Sequence, residues 1–208
     1  KMVYISNPTE VGTIYSKAEL TALSETCHKY GLYLFLDGAR LGYGLAAPDN
    51  DLTLPEIAAL CDVFYIGGTK VGALFGEAVV IKNPELAQDF RYLIKQNGGM
   101  LAKGRLLGLQ FDALFTDGLY QVISAHAIAM AEKLREAFTA KGYTYLAPNR
   151  TNQIFVIVPD AHLAKISEQF EYSYDQRIDA THSCVRFCTG WATKEENVDA
   201  LIRCVEKL

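Results

Sequence analysis

The chain has 208 residues, of which 50% are apolar and 21% charged. That composition excludes intrinsic disorder, and a chain this long buries roughly 70% of the surface it exposes when unfolded, so it folds without metals or disulfides. A net charge of −4 and a pI of about 5.6 exclude a basic nucleic-acid footprint, and no apolar run reaches the roughly 18 residues of a membrane span.

Val3 to Ser6 is a short apolar run, ended by the turn residues Asn7, Pro8 and Thr9. Ser16 and Glu19 form a capping box, which starts a helix that Gly31 stops near Tyr30. Leu20, Leu23 and Cys27 make its inward face. Leu32 to Leu36 is apolar throughout and ends at Asp37. Unbroken apolarity predicts a strand covered on both faces, as in a parallel sheet. A helix follows over residues 51–61, with Pro55 near its start, and Val63 to Ile66 is the next strand.

Two crossovers long enough to hold a helix make these three strands parallel. Only ten glycine-rich residues separate Ile66 from Glu77, which is too short for a helical crossover. Glu77 to Ile81 is therefore predicted to run antiparallel. The expected fold class is α/β, a mostly parallel sheet with an antiparallel strand and helices on both faces. Pro84 to Gln96 and Met100 to Phe115 read as helices, followed by a long amphipathic helix from Leu119 to Ala140, capped by Gly142. After it come a strand at Gln153 to Val158, a helix at Ala161 to Phe170, a strand at Val185 to Thr189 and a last helix from Lys194. These form a small α+β C-terminal domain. The boundary falls near Gly118, giving domains 1–117 and 118–208.

The five cysteines (Cys27, Cys61, Cys184, Cys188 and Cys204) include no CxxC pair and no zinc spacing. They read as reduced core thiols of a cytoplasmic protein. The chain opens at Lys1 directly into an apolar strand, so it is expected to be a piece of a longer protein.

Two residues stand out. Asp37, in Asp37-Gly38-Ala39-Arg40, ends a buried strand, where open α/β sheets bind ligands. It either caps the following turn or contacts a ligand. Lys70 follows Gly67-Gly68-Thr69 at another strand's carboxyl end, among apolar neighbours. It is either a solvated lysine in a glycine loop or a desolvated nucleophilic amine. A carboxylate and a lysine at the ends of parallel strands match the needs of pyridoxal phosphate. That cofactor takes a Schiff base from a lysine and a carboxylate at its ring nitrogen.

At these motifs the chain resembles a known family. The run SNPTEVGTIYSKAELTALSETCHKYGLYLFLDGARLGYGLA, followed by FYIGGTKVGALFGEAVVI, is similar to the threonine aldolase branch of the β-eliminating lyases, the low-specificity L-threonine aldolases. These are fold-type-I pyridoxal-phosphate enzymes. The resemblance implies that residues 1–117 are part of the cofactor-binding large domain. It implies that Lys70 is the catalytic Schiff-base lysine and that Asp37 holds the ring nitrogen. Ala39 would pack on the ring face and Thr69 would bind the phosphate. Arg40 and Arg186, the latter in CVRFCTGWAT, would bind the substrate carboxylate.

Lys95, Lys103 and Arg105 either reach a neighbour's phosphate site or are solvated. Of the histidines, His28 and His126 read as structural, and His182 lies just before the arginine strand. The family's phosphate-cradling loop and ring-stacking histidine correspond to sequence upstream of Lys1. The sheet is therefore expected to expose apolar surface. The implied reaction splits L-threonine or L-allo-threonine to glycine and acetaldehyde. A β-eliminating amino-acid lyase, or a non-catalytic fragment without cofactor, is the alternative. The implied partners are a small amino-acid substrate and further copies of the chain, as a homodimer or homotetramer with shared sites. No metal, membrane or nucleic acid is implied.

Overall fold

A computed structural model describes residues 1–208. The first sheet contains β1 (Met2–Ser6), β2 (Tyr33–Asp37), β3 (Val63–Gly67) and β4 (Glu77–Ile81), in that order. β1, β2 and β3 are parallel, and β4 is antiparallel to β3, as the short connection requires. Between the strands lie α1 (Lys17–Lys29), α2 (Leu41–Leu45) and α3 (Leu54–Leu60). The Ser16–Glu19 capping box is present at α1, and a second, Thr53–Glu56, starts α3 with Pro55 in its first turn. Gly31 takes a positive φ of 63° just past α1, a conformation that suits a residue without Cβ.

The side chains of the first sheet sort cleanly by face. Ile5, Leu34, Leu36, Phe64 and Ile66 point into a core with Leu20, Cys27, Ile57 and Tyr120. Met2, Tyr4, Tyr33 and Val79 point the other way and are exposed. The expected exposure of apolar sheet surface is therefore met, but helices on both faces are not. In this chain they cover one. An apolar run records that both faces avoid water, not which segment covers them.

Four elements lead into the second half: α4 (Phe90–Gln96), α5 (Arg105–Phe115), α6 (Leu119–Ala140) and the short strand β5 (Thr144–Tyr145). Several of the expected helices are shorter than the sequence suggests. Pro84–Ala87 is a 3₁₀ turn, and Asp89, at φ 58°, separates it from α4. Aspartate tolerates this left-handed geometry, and apolar spacing does not register the break. Residues 101–104 form a turn, and α5 starts only at Arg105.

The second sheet adds β6 (Gln153–Pro159), β7 (Ser173–Arg177) and β8 (His182–Cys188), in the order β5-β6-β8-β7, all antiparallel. Its helices are α7 (Asp160–Ile166) and α8 (Glu195–Glu206). β7 and β5 escaped the sequence reading. SYDQR is an edge strand exposed at every residue, so it carries no apolar alternation. A second core forms from Phe138, Ile154, Val156, Val185, Phe187 and Leu201. The helix α6 serves both cores: Tyr120, Ala127 and Ile128 enter the first, and Met130, Leu134 and Phe138 the second.

Candidate active site

The parallel strands β2 and β3 end side by side, and two glycines let them do so. The Gly67 N–H donates to the Gly38 carbonyl at 2.9 Å. A Cβ at Gly38 would lie 2.0 Å from the Tyr65 carbonyl oxygen, and one at Gly67 would lie 2.4 Å from that of Ala39. No other residue fits either place without backbone movement. The close approach brings Asp37, on β2, into the electrostatic field of Lys70, just past β3.

Asp37 is held by two donors. Oδ1 accepts the Ala39 N–H at 2.9 Å, and Oδ2 accepts the Tyr4 hydroxyl. The nearby Tyr65 phenol also favours the ionised carboxyl. Burial works against ionisation here. The hydrogen bonds from Tyr4 and Ala39, together with the Tyr65 phenol and the charge of Lys70, outweigh it and leave the carboxyl below its ordinary value. Asp37 thus both caps its own turn and keeps a charge at the strand end. Tyr65 pays for this arrangement through its phenol, which burial and then Asp37 push upward. Tyr4 and Phe35 stack beside the site with ring centroids 5.4 Å apart.

Lys70 is exposed, which is the solvated one of the two states the sequence allowed. The loop turns Val71 and Ala73 inward instead and leaves Thr69 and Lys70 outside. Its backbone is nonetheless fixed. The Tyr43 hydroxyl donates to the Lys70 carbonyl, and the Trp191 N–H donates to that hydroxyl at 3.3 Å. Tyr43 thereby ties the lysine loop to the segment after β8. Glu77, at the start of β4, accepts the Gly68 N–H at 3.1 Å. Partial burial raises its carboxyl despite that bond and the nearby Lys70 charge.

Arg40 is half-buried at the start of α2, and Arg186 is half-buried on β8. Both charges act on the Cys188 thiol. Burial nevertheless pushes that thiol upward. Arg186 Nη1 donates to Gln153 Oε1 at 3.2 Å, while its Nε is buried and has no partner. An orphaned guanidinium donor fits a site that takes an anion. Together with an ionised Asp37 and an amine at Lys70, it fits a cofactor with a cationic ring nitrogen and an aldehyde, acting on an amino acid.

Other basic and histidine candidates lie apart. Lys95, Lys103 and Arg105 are exposed. The His182 ring nitrogen lies 3.0 Å from Asp179 Oδ1, at the far end of β8 from Cys188. His28 pairs with Asp62 at 3.2 Å, and His126 donates to the Thr193 carbonyl at 2.7 Å. No group of His, Cys, Asp and Glu side chains could hold a metal ion. The sequence reading missed Tyr4, Tyr43, Tyr65, Glu77 and Gln153. Tyr4 and Tyr65 had a signal, since in-register parallel strands place them beside Asp37 on one face. Tyr43 and Gln153 act across the two cores, which no local pattern records.

A profile of the beta-eliminating lyase family matches residues 1–161, and the chain belongs to that family. A low specificity L-threonine aldolase of Pseudomonas sp. (strain NCIMB 10558) is 33% identical over 205 residues, covering 97% of this chain and 58% of that protein. The solved threonine aldolase of Leishmania major is 44% identical, with a TM-score of 0.97, over 100% of this chain and 60% of that one. An aspartate aminotransferase of Thermus thermophilus shares the fold at 15% identity and a TM-score of 0.66, over 100% of this chain and 57% of that one. The architecture is thus part of the fold-type-I pyridoxal-phosphate fold. The chain spans about three-fifths of the length of these relatives.

Proposed function

We propose that the protein to which this chain belongs is a pyridoxal-phosphate-dependent aldolase that splits L-threonine or L-allo-threonine to glycine and acetaldehyde. The carrying observation is the pairing of an ionised, tyrosine-held Asp37 with Lys70 at adjoining strand ends. Family membership and the threonine aldolase relatives support the same reading.

The bound cofactor supplies an electron-accepting ring for the charge left when a bond to Cα breaks. Lys70 Nζ would be the amine that holds it. Asp37 keeps a proton on the ring nitrogen, and the hydroxyls of Tyr4 and Tyr65 keep Asp37 ionised for that work. Ala39 packs on the ring face and Thr69 binds the phosphate. Arg40 and Arg186 grip the substrate carboxylate and so orient which Cα bond is cleaved.

The substrate is a small amino acid. We place the protein in the cytoplasm on its five free cysteines, and no helix is long and apolar enough to cross a membrane. We assign residues 1–117 to the large domain and 118–208 to the small one. The left-handed Gly118 and the separate second sheet support this boundary, although Tyr120 to Ile128 reach back to the first core. A homodimer or homotetramer is supported by exposed apolar side chains beyond β3, including Leu74, Phe75, Leu106 and Leu109. Sedimentation of the full-length protein tests that assembly.

Turnover tests the chemistry. The full-length protein with pyridoxal phosphate is expected to release acetaldehyde from threonine. Release of pyruvate from cysteine-like substrates, with threonine untouched, would instead make it a β-eliminating amino-acid lyase.

A further inference from the structure

Three buried side chains fasten the loop after β1 to the start of β6. Asn149 Nδ2 donates to the Val11 carbonyl at 2.8 Å, Thr151 Oγ1 to Gly12 at 2.9 Å and Gln153 Nε2 to Glu10 at 3.2 Å. Their acceptors are three consecutive carbonyls, those of Glu10, Val11 and Gly12.

Gln153 differs from the other two because its second end is also used. It is 0% exposed, and its Oε1 accepts from Arg186 Nη1 at 3.2 Å. The two ends of the amide cannot be exchanged. A flipped amide would face an NH₂ toward the guanidinium, donor against donor, and an oxygen toward the Glu10 carbonyl. The Glu10 backbone therefore dictates which atom meets Arg186.

The atom it meets decides what Arg186 can do. A guanidinium grips a carboxylate with two parallel bonds along one edge. Gln153 takes one of the two N–H groups on Nη1 and so fixes how the guanidinium is turned, and Nε is a buried donor without a partner. The Phe155 ring lies 5.9 Å from the Arg186 guanidinium carbon and supports its plane. Cys188 Sγ lies 4.0 Å from the same Gln153 oxygen and competes only weakly for it.

We propose that Gln153 is the positioning residue of the carboxylate site: anchored on the Glu10 backbone, it holds one N–H of Arg186 Nη1 and so fixes the plane in which the guanidinium meets the substrate carboxylate. This rests on the reading of Arg186 given above. Gln153 touches neither substrate nor cofactor.

The test is glycine binding to the full-length holoenzyme, measured by calorimetry. Gln153→Met keeps the side chain's volume and removes the amide. Glycine is expected to bind roughly tenfold more weakly, as for a lost bond to a charged group, with cofactor affinity unchanged. KM for threonine should rise by more than kcat falls. The Gln153→Met/Arg186→Ala double variant should bind glycine no more weakly than Arg186→Ala alone, since Gln153 acts only through Arg186. Gln153→Asn retracts the amide by one methylene and should also weaken binding, which covers a Gln153→Met protein that fails to fold. Glycine binding within twofold of the parent in either variant, or a loss fully additive to that of Arg186→Ala, would overturn the proposal. An Arg186→Ala protein that binds glycine as the parent does would overturn the reading of Arg186 beneath it.

Discussion

The Gly67 N–H and the Gly38 carbonyl meet at 2.9 Å, and this backbone bond joins the carboxyl ends of β2 and β3. It sits between the residues proposed for chemistry. Asp37 precedes one glycine, and Lys70 follows the other by three residues. The site is thus set by main-chain packing before any side chain is placed.

Gly38→Ala tests that packing. The added methyl would meet the Tyr65 carbonyl oxygen at 2.0 Å, which backbone cannot yield without parting the strands. The variant should lose about 3 kcal/mol of stability or more, at the upper end of overpacking. Urea unfolding reads this, and an unchanged midpoint would contradict it.

Tyr4→Phe should shift the titration of Asp37 upward. The folded carboxyl lies below its ordinary value of 3.8, so its contribution to stability is present above that value and fades as pH falls through the folded one. Removing a donor to the ionised form raises the folded value, so the fading begins at higher pH. A carboxyl-carbon NMR titration of parent and variant reads the direction. An unchanged or lowered Asp37 midpoint would speak against the tyrosine's role.

Much of this was legible in the sequence. The capping box at Ser16, Pro55, glycine stops and apolar runs give the parallel strands, and a ten-residue connection gives the antiparallel β4. Asp37 and Lys70 stood out because each ends a strand. The rest depends on long-range contact. Tyr43 reaches the Lys70 carbonyl from α2, and Gln153 reaches Glu10 across more than a hundred residues of chain. Neither has a local signature. The sequence left Lys70 either solvated or desolvated, and its exposure follows because the apolar neighbours Val71 and Ala73 turn inward.

Thr151→Ala should cost about 1–3 kcal/mol, because the Gly12 carbonyl loses its buried donor. Thr151 is 1% exposed, so water does not replace that bond without rearrangement. Thermal or urea unfolding measures the loss. A value near zero would mean that the loop after β1 is not held by this contact.

Cys61 should resist alkylation while the protein is folded. Burial pushes its thiol up to about 12, so almost no thiolate is present at about pH 8. Iodoacetamide followed by peptide mapping should leave Cys61 unmodified until denaturant is added. Labelling of Cys61 in the native state, at the rate seen in denaturant, would refute the buried environment described.

Borohydride trapping with peptide mapping addresses the central claim most directly. The full-length native protein is incubated with pyridoxal phosphate, reduced and digested. The account predicts a pyridoxyl group on Lys70 and its absence in Lys70→Ala. An intact, folded protein that carries no label, or carries it on another lysine, would contradict the assignment of Lys70 as the cofactor-binding amine.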